Sequence, residues 1–265
     1  MTKDSLGDRM KGYEGVEAKR RCGPMLPICI RIDGHNFSSW TKGLQRPFDS
    51  RLSTLMQCAT LKLVQEFGAC IGYTQSDEIS LVIYSGDVNT ETIYGGRYQK
   101  LVSRSASTAT RIFNDLLRSH IPYWPSAEFD SRVWTVPSLE EAANTILWRE
   151  LDAVKNSKSM AARHYYSHKQ ILNKNGDEMV ALLAAKGVVF EDYPDFFKRG
   201  SYVCRRRSFQ KFSMEELEKL PSKHAARTNP DLMVERSTVE LVPMPPFMTV
   251  ANRIGVLLGE LPFSS

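Results

Sequence analysis

Two short segments carry the residues best suited to chemistry. Ile30-Arg31-Ile32-Asp33-Gly34-His35-Asn36-Phe37 ends an apolar run on a carboxylate, and Tyr73-Thr74-Gln75-Ser76-Asp77-Glu78-Ile79-Ser80 places two more at what reads as a hairpin tip. An acid at the end of an apolar strand is costly unless a basic side chain, a metal ion or water neutralises it. Two hard oxygen ligands at neighbouring strand ends suit Mg²⁺, which often takes one or two carboxylates and fills its shell with substrate phosphates. Two such ions about 4 Å apart activate an attacking oxygen and steady a leaving oxygen in phosphoryl or nucleotidyl transfer. Gly34, directly after Asp33, lets the backbone bend close to a phosphate. The plainer reading is a turn aspartate before glycine, with acidic caps on the hairpin.

Bringing these acids together takes a sheet. Residues 26–33 read as a buried strand, set off by Pro24 and Pro27. Asp49, just past Pro47, reads as the N-cap of a helix whose Leu52, Leu55, Met56, Ala59, Leu63 and Phe67 recur at spacings of three and four. Residues 68–74 and 78–84 read as two short strands joined by a tight hairpin. Residues 97–118 form a second amphipathic helix, with Leu101, Ala109, Ile112, Phe113 and Leu116 on its apolar face, and 131–136 a further strand closed by Pro137. The order β-α-β-β-α-β predicts an α+β, ferredoxin-like fold, an antiparallel sheet with two helices on one face. Polymerase palms and nucleotide cyclases use this arrangement. With the hairpin paired beside the first strand, Asp33 and Asp77 meet at one edge of the sheet.

Residues 1–137 are read as the palm catalytic core and 138–265 as a helical and mixed region packed on it. That second region is expected to be helical to about residue 187, with a break at Asn175-Gly176. A strand with a basic end follows at 199–209, then a short helix at 213–220, a polar linker at 221–231, a last strand at 234–242 and a final short helix.

The chain has 265 residues, 42% hydrophobic and 25% charged, enough for a sizeable core. A net charge of +5 and a pI of about 8.9 suit a polyanionic partner without requiring one. The five cysteines are odd in number, irregularly spaced and without a C-x-x-C, which argues against a disulfide framework and a zinc site. Cys29, Cys58 and Cys70 read as reduced core residues. The first residues are polar, unlike a signal peptide, and no apolar run is long enough to span a bilayer, so a cytoplasmic protein is expected.

Basic residues cluster twice. Arg97, Lys100 and Arg104 form one stripe at helical spacing, which can hold a triphosphate or an RNA backbone, or simply face water. Arg205, Arg206 and Arg207, with Lys198 and Arg199 before them and Tyr202 and Phe209 nearby, can track RNA phosphates while a ring stacks on a base. A plain surface cluster is the alternative. Lys11 is as easily a surface lysine as a contact for a polyanion. His164 and His168 stand four apart, but without a third ligand a metal role is disfavoured.

Taken together, residues 30–37, 46–52 and 73–82 resemble the tRNA-His guanylyltransferase family of 3′-to-5′ nucleotide polymerases, and the resemblance continues through 96–107, 129–138 and 147–157. Guanylyltransferases proper carry His-Ile-Asn-Asn where this chain has Val154-Lys155-Asn156-Ser157. That departure and the segment from Ser167 onward look more like the Thg1-like branch, associated with templated repair of 5′-truncated tRNA. The resemblance implies two Mg²⁺ ions on Asp33 and Asp77, with the Gly34 carbonyl as a further ligand and Glu78 following in the catalytic motif. It implies that the backbone of His35, Asn36 and Phe37 cradles a triphosphate, and that Ser76, Arg97 and Lys100 contact phosphates. Arg46, where a lysine is common, and Asp49 fall in the nucleotide site. Asn156, in the altered motif, joins Lys11, Arg104 and the second basic cluster as an RNA-facing candidate. ATP, GTP or other NTPs are the implied substrates, tRNA with a truncated or incomplete 5′ end the partner, and a homotetramer the assembly.

The expectation is therefore a 3′-5′ nucleotidyltransferase that extends the 5′ end of tRNA, with ATP activating a 5′-monophosphate. The alternatives are a guanylyltransferase specific for tRNA-His, another palm nucleotidyltransferase or cyclase, and a non-catalytic tRNA-binding protein. The Gly-Gly-Asp/Glu-Glu-Phe signature of diguanylate cyclases is absent.

Overall fold

Alternation along the first strand, β1 (Ile28–Gly34), sets up two cores. Ile28, Ile30 and Ile32 enter one apolar cluster, while Cys29 enters another on the opposite face. A period of two sends neighbours to opposite sides of a sheet. The computed structural model describes residues 5–229, 231–260 and 262. It pairs β1 with both β3 (Glu78–Ile83) and β4 (Phe129–Thr135), and β3 with β2 (Ile71–Gln75), all antiparallel. The order β4-β1-β3-β2 is that of a ferredoxin-like palm.

Before the sheet comes α1 (Ser5–Ala18), which buries no residue; Lys11 is exposed on it. A single turn, α2 (Phe37–Trp40), follows β1. Two helices, α3 (Ser50–Glu66) and α4 (Tyr98–His120), cover the isoleucine face of β1 through Leu55, Leu63, Leu101 and Phe113. Asp49 caps α3 as expected, accepting from the Arg51 N–H at 3.0 Å. Gly72 lets α3 lie close on the sheet, since a Cβ there would stand 2.6 Å from Val64 and 2.8 Å from Thr60.

The opposite face is covered by α5 (Leu139–Tyr165), 27 residues capped by Ser138. Ala142, Ala143, Ile146 and Ala153 pack there against Tyr73 and Val82. The helix ends at Tyr165, earlier than the expected break, and α6 (His168–Ile171) and α7 (Gly176–Ala184) follow, with Asn175 capping α7. His164 and His168 therefore stand on separate helices, and the i, i+4 pair does not form. A short α8 (Asp195–Lys198) leads into β5 (Ser201–Lys211).

After residue 138 the chain also extends the same sheet. β5 pairs with β2 over Ser201–Cys204, and β6 (Met233–Val242) pairs along β5 from Val242 out to Met233. Beyond Cys204 the two form a ribbon that leaves the palm at the end away from Asp77. The stretch read as a linker holds α10 (Ala225–Thr228), after α9 (Met214–Lys219); its Pro230 lies outside the described residues. Buried Glu150 ties this half to the palm, accepting from the Tyr202 hydroxyl at 2.5 Å and the Phe247 N–H at 2.8 Å. The chain closes with α11 (Arg253–Leu257). All five cysteines are free, four buried and Cys58 half-buried. Among the described residues no helix is long and apolar enough to cross a membrane.

Candidate active site

Strand register brings the acids together. Asp33 stands opposite Glu78 across the β1–β3 ladder, and the Gly34 N–H donates to the Asp77 carbonyl at 3.1 Å. Ser76 takes the left-handed φ of 56° that the tight β2–β3 turn requires. The turn thus lifts Asp77 off the strand end and holds it beside β1. On the other side Gly34 must remain glycine, since a Cβ would collide with the Phe37 ring. Asn36, at φ 53°, starts α2, and the His35 N–H donates to the Glu128 carbonyl at 2.8 Å.

Asp33, Asp77 and Glu78 line a cavity of about 350 Å³, facing Arg149, Asn156 and Arg163 on α5. The three acids have different surroundings. Burial pushes the Asp77 carboxyl up to about 6, and the charges of Asp33 and Glu78 add to the rise; hydrogen bonds from its own backbone and Ser76 oppose it. Glu78 is held by Arg149, Nε to Oε1 at 2.6 Å and a terminal guanidinium nitrogen to Oε2 at 2.7 Å. Among the described residues Asp33 has one ion-pair partner, Arg132 at 3.9 Å, and its side chain is 39% exposed. So Glu78 is neutralised by protein, whereas Asp33 and Asp77 face each other with little compensation. No group of three His, Cys, Asp or Glu side chains in metal-holding geometry occurs among the described residues. Two carboxylates with so little compensation match Mg²⁺ shared with phosphates.

A second cavity, of about 80 Å³, adjoins the first and shares Gln75, Ser76 and Met160 with it. Phe48, Leu52, Phe196 and Phe197 give it apolar walls, and exposed Arg46 stands at its rim. Asp49 lines it too, but its carboxylate is saturated. It accepts from Arg51 N and Nε, each at 3.0 Å, from an Arg51 terminal nitrogen at 2.7 Å and from Gln45 N at 3.2 Å. Those bonds, that with the Arg51 side chain foremost, hold its carboxyl down at about 2. Asp49 is thus a buried structural cap and has no acceptor left for a nucleotide.

The basic candidates divide. Arg97 and Lys100, which begin the α4 stripe, do not stand beside the carboxylates. The Tyr98 hydroxyl lies 3.2 Å from Thr135 Oγ1, and Thr135 pairs with Ile28, at the far end of β1 from Asp33. Because α4 runs toward the carboxylate end, its N-terminal Arg97 and Lys100 start at the other. They and Arg104 border or lie next to a separate cavity of about 780 Å³ with Arg20 and Tyr98. In the second cluster, the basic side chains have partners within the chain. Arg205 donates to the carbonyls of Val64 and Ala69, closing the end of α3. Arg206 pairs with Glu240 at 2.7 Å, and Arg207 meets Glu235 at 3.5 Å. Arg199 pairs with Asp195 at 2.9 Å, and Lys198 donates to the Glu191 carbonyl at 2.6 Å. Sequence reasoning missed Arg149, Arg163, Arg132 and the Phe196–Phe197 wall. The i, i+3, i+7 spacing of Asn156, Ser159 and Arg163 was the available signal for one of them.

A ferredoxin-like sheet with paired acids at the tip of its central hairpin is the frame of palm nucleotidyltransferases. Comparison with known proteins agrees. Residues 7–137 match the family model described as Thg1, tRNAHis guanylyltransferase. A bacterial tRNA(His) guanylyltransferase (Thg1)-like protein solved with ATP is 38% identical, with a TM-score of 0.72 over 76% of this chain and 87% of that one. Another such bacterial structure, with GTP, is 30% identical, with a TM-score of 0.73 over 96% of this chain and 99% of that one. The tRNA(His) guanylyltransferase of Neurospora crassa is 24% identical over 84% of each chain. The chain belongs to the tRNA(His) guanylyltransferase (Thg1) family.

Proposed function

We propose that this chain is a 3′-5′ nucleotidyltransferase that adds nucleotides to the 5′ end of tRNA, repairing truncated 5′ ends by copying the opposing strand. The observation that carries this reading is the Asp33–Asp77 pair, little compensated where the end of β1 meets the tip of a palm hairpin, and adjoining an apolar pocket. Mg²⁺ held by Asp33, Asp77 and the Gly34 carbonyl would supply charge neutralisation and a lowered pKa for the attacking hydroxyl. The chain's own residues position the reactants. Arg46, Ser76 and the backbone of Asn36 and Phe37 take the triphosphate, while His35 N–H is already engaged by Glu128. Phe48 and Phe196 enclose the base. Arg149 keeps Glu78 turned to protein.

With a 5′-monophosphate end, the terminal phosphate first attacks ATP and expels pyrophosphate, giving a 5′-adenylylated end. The 3′-hydroxyl of the incoming nucleotide then attacks the RNA's own phosphorus, and AMP leaves. With a 5′-triphosphate end the leaving group is pyrophosphate. No nucleophilic side chain is required. Arg97 and Lys100 start α4 at the Ile28 end of β1, five residues or roughly 17 Å along the strand from Asp33, and suit the RNA backbone better than the same chain's nucleotide. A homotetramer and a cytoplasmic location complete the proposal; light scattering giving a particle near 30 kDa would end the former.

The test is extension of a tRNA lacking its first 5′ nucleotide, with Mg²⁺, ATP and each NTP singly, the opposing base being varied. Addition that follows the opposing base supports templated repair. Addition of G alone makes the chain a guanylyltransferase in the narrow sense. Bound tRNA without addition makes it a binding protein.

A further inference from the structure

The face of α5 that looks onto the carboxylate cavity runs through Arg149, Asn156, Ser159 and Arg163. Its two arginines differ. Arg149, 14% exposed, is engaged by Glu78 and by Asp152 at 3.2 Å. Arg163 is exposed and, among the described residues, has no ion-pair partner. A cation in the last helical turn is favoured by the helix dipole. The dipole explains its charge but not its place on the wall facing Asp33 and Asp77, where Arg163 is the cation left over once Arg149 is neutralised. A guanidinium is a rigid fork that binds phosphate through two parallel N–H donors and cannot lose its charge.

We propose that Arg163 is a phosphate-binding residue of this site, taking phosphate oxygens of the ligand that occupies the Asp33–Asp77 cavity. The inference rests on the nucleotidyltransferase reading and names a contact within it. Two ligands bring that chemistry, the triphosphate of the incoming nucleotide and the 5′-phosphate of the RNA end. Ser159 and Asn156, one and two turns before Arg163, add neutral donors along the same path.

The experiment measures equilibrium binding by wild type, Arg163→Ala and Arg163→Lys, each first shown to keep the wild-type unfolding midpoint. Three probes are used: ATP with Mg²⁺, a tRNA with a 5′-phosphate, and the same tRNA with a 5′-hydroxyl. Loss of a charge-assisted contact is expected to weaken one probe about tenfold or more. A loss confined to ATP assigns Arg163 to the nucleotide. A loss of preference for 5′-phosphate over 5′-hydroxyl tRNA assigns it to the RNA end. Arg163→Lys should recover part of either. Unchanged binding of ATP and both tRNAs, or equal weakening of both tRNAs alone, overturns the assignment while leaving the polymerase reading standing. Wild-type protein that binds neither ATP nor tRNA overturns both.

Discussion

Arg149 grips Glu78 bidentately, at 2.6 and 2.7 Å, from a helix that packs across the sheet. Each side chain is about 15% exposed. Breaking such a pair strands a charge in low dielectric, which costs more than the intact pair contributes. Arg149→Ala is expected to lower unfolding stability by about 3 kcal/mol, read by urea titration. Adding Glu78→Gln should recover part of the loss, because no stranded carboxylate remains. A single variant within 1 kcal/mol of wild type would show that the pair is screened by water.

How much of this was legible in the sequence depends on the range of the interaction. β1, the hairpin and the Asp49 cap were readable because period-two runs, turn residues and capping chemistry are local. The meeting of Asp33 and Asp77 followed from strand order alone. Arg149 was not readable, since its partner lies 71 positions away and only α5 packing brings them together. The continuation of the sheet through β5 was hidden for the same reason: β2 and β5 are far apart in sequence. The position of the α4 stripe was hidden for a different reason. Spacing identified the basic face but not which end of the sheet the helix starts from. The arginines of β5 looked like an RNA track because runs of positive charge do so in sequence; pairing with β6 and the end of α3 supplies their partners.

Asp77 makes a pH-dependent cost. Its carboxyl is raised from 3.8 to about 6, so the native state binds a proton more readily than the unfolded chain. Stability contributed by the protonated form is present below about 4 and is lost as pH rises through 6, by up to about 3 kcal/mol. Asp77→Asn is therefore expected to raise the unfolding midpoint at pH 7, leave it unchanged at pH 4, and abolish nucleotide addition. Mg²⁺ should raise the wild-type midpoint at pH 7 and leave the variant unmoved. A variant less stable at pH 7, or one that still extends tRNA, would contradict the assignment.

Asp49 behaves in the opposite sense. Its carboxyl is held down at about 2, so its stabilisation is full above about 4 and is lost as pH falls toward 2. Asp49→Ala removes a helix cap and is expected to cost about 1–2 kcal/mol, whereas Asp49→Asn keeps a capping oxygen and should cost less. Because the carboxylate has no acceptor left, Asp49→Asn should leave the relative affinities for ATP and GTP unchanged. A shift in that ratio beyond about threefold would show that the carboxylate is released to read the base.

Lys100 separates two uses of one basic stripe. Family resemblance places it on a nucleotide phosphate, but the register puts it at the Ile28 end of β1, far from Asp77 within one chain. A lysine on an RNA phosphate strengthens binding, most of all at low salt, and contributes about one counterion to the salt dependence. Lys100→Ala is therefore expected to weaken tRNA binding, to flatten the plot of log affinity against log salt by about one, and to leave ATP affinity untouched in the monomer. If ATP affinity falls instead in an assembled oligomer, with the salt slope unchanged, the stripe of one subunit serves the nucleotide of its neighbour. The two outcomes are told apart by repeating the titration at a concentration where light scattering shows single chains.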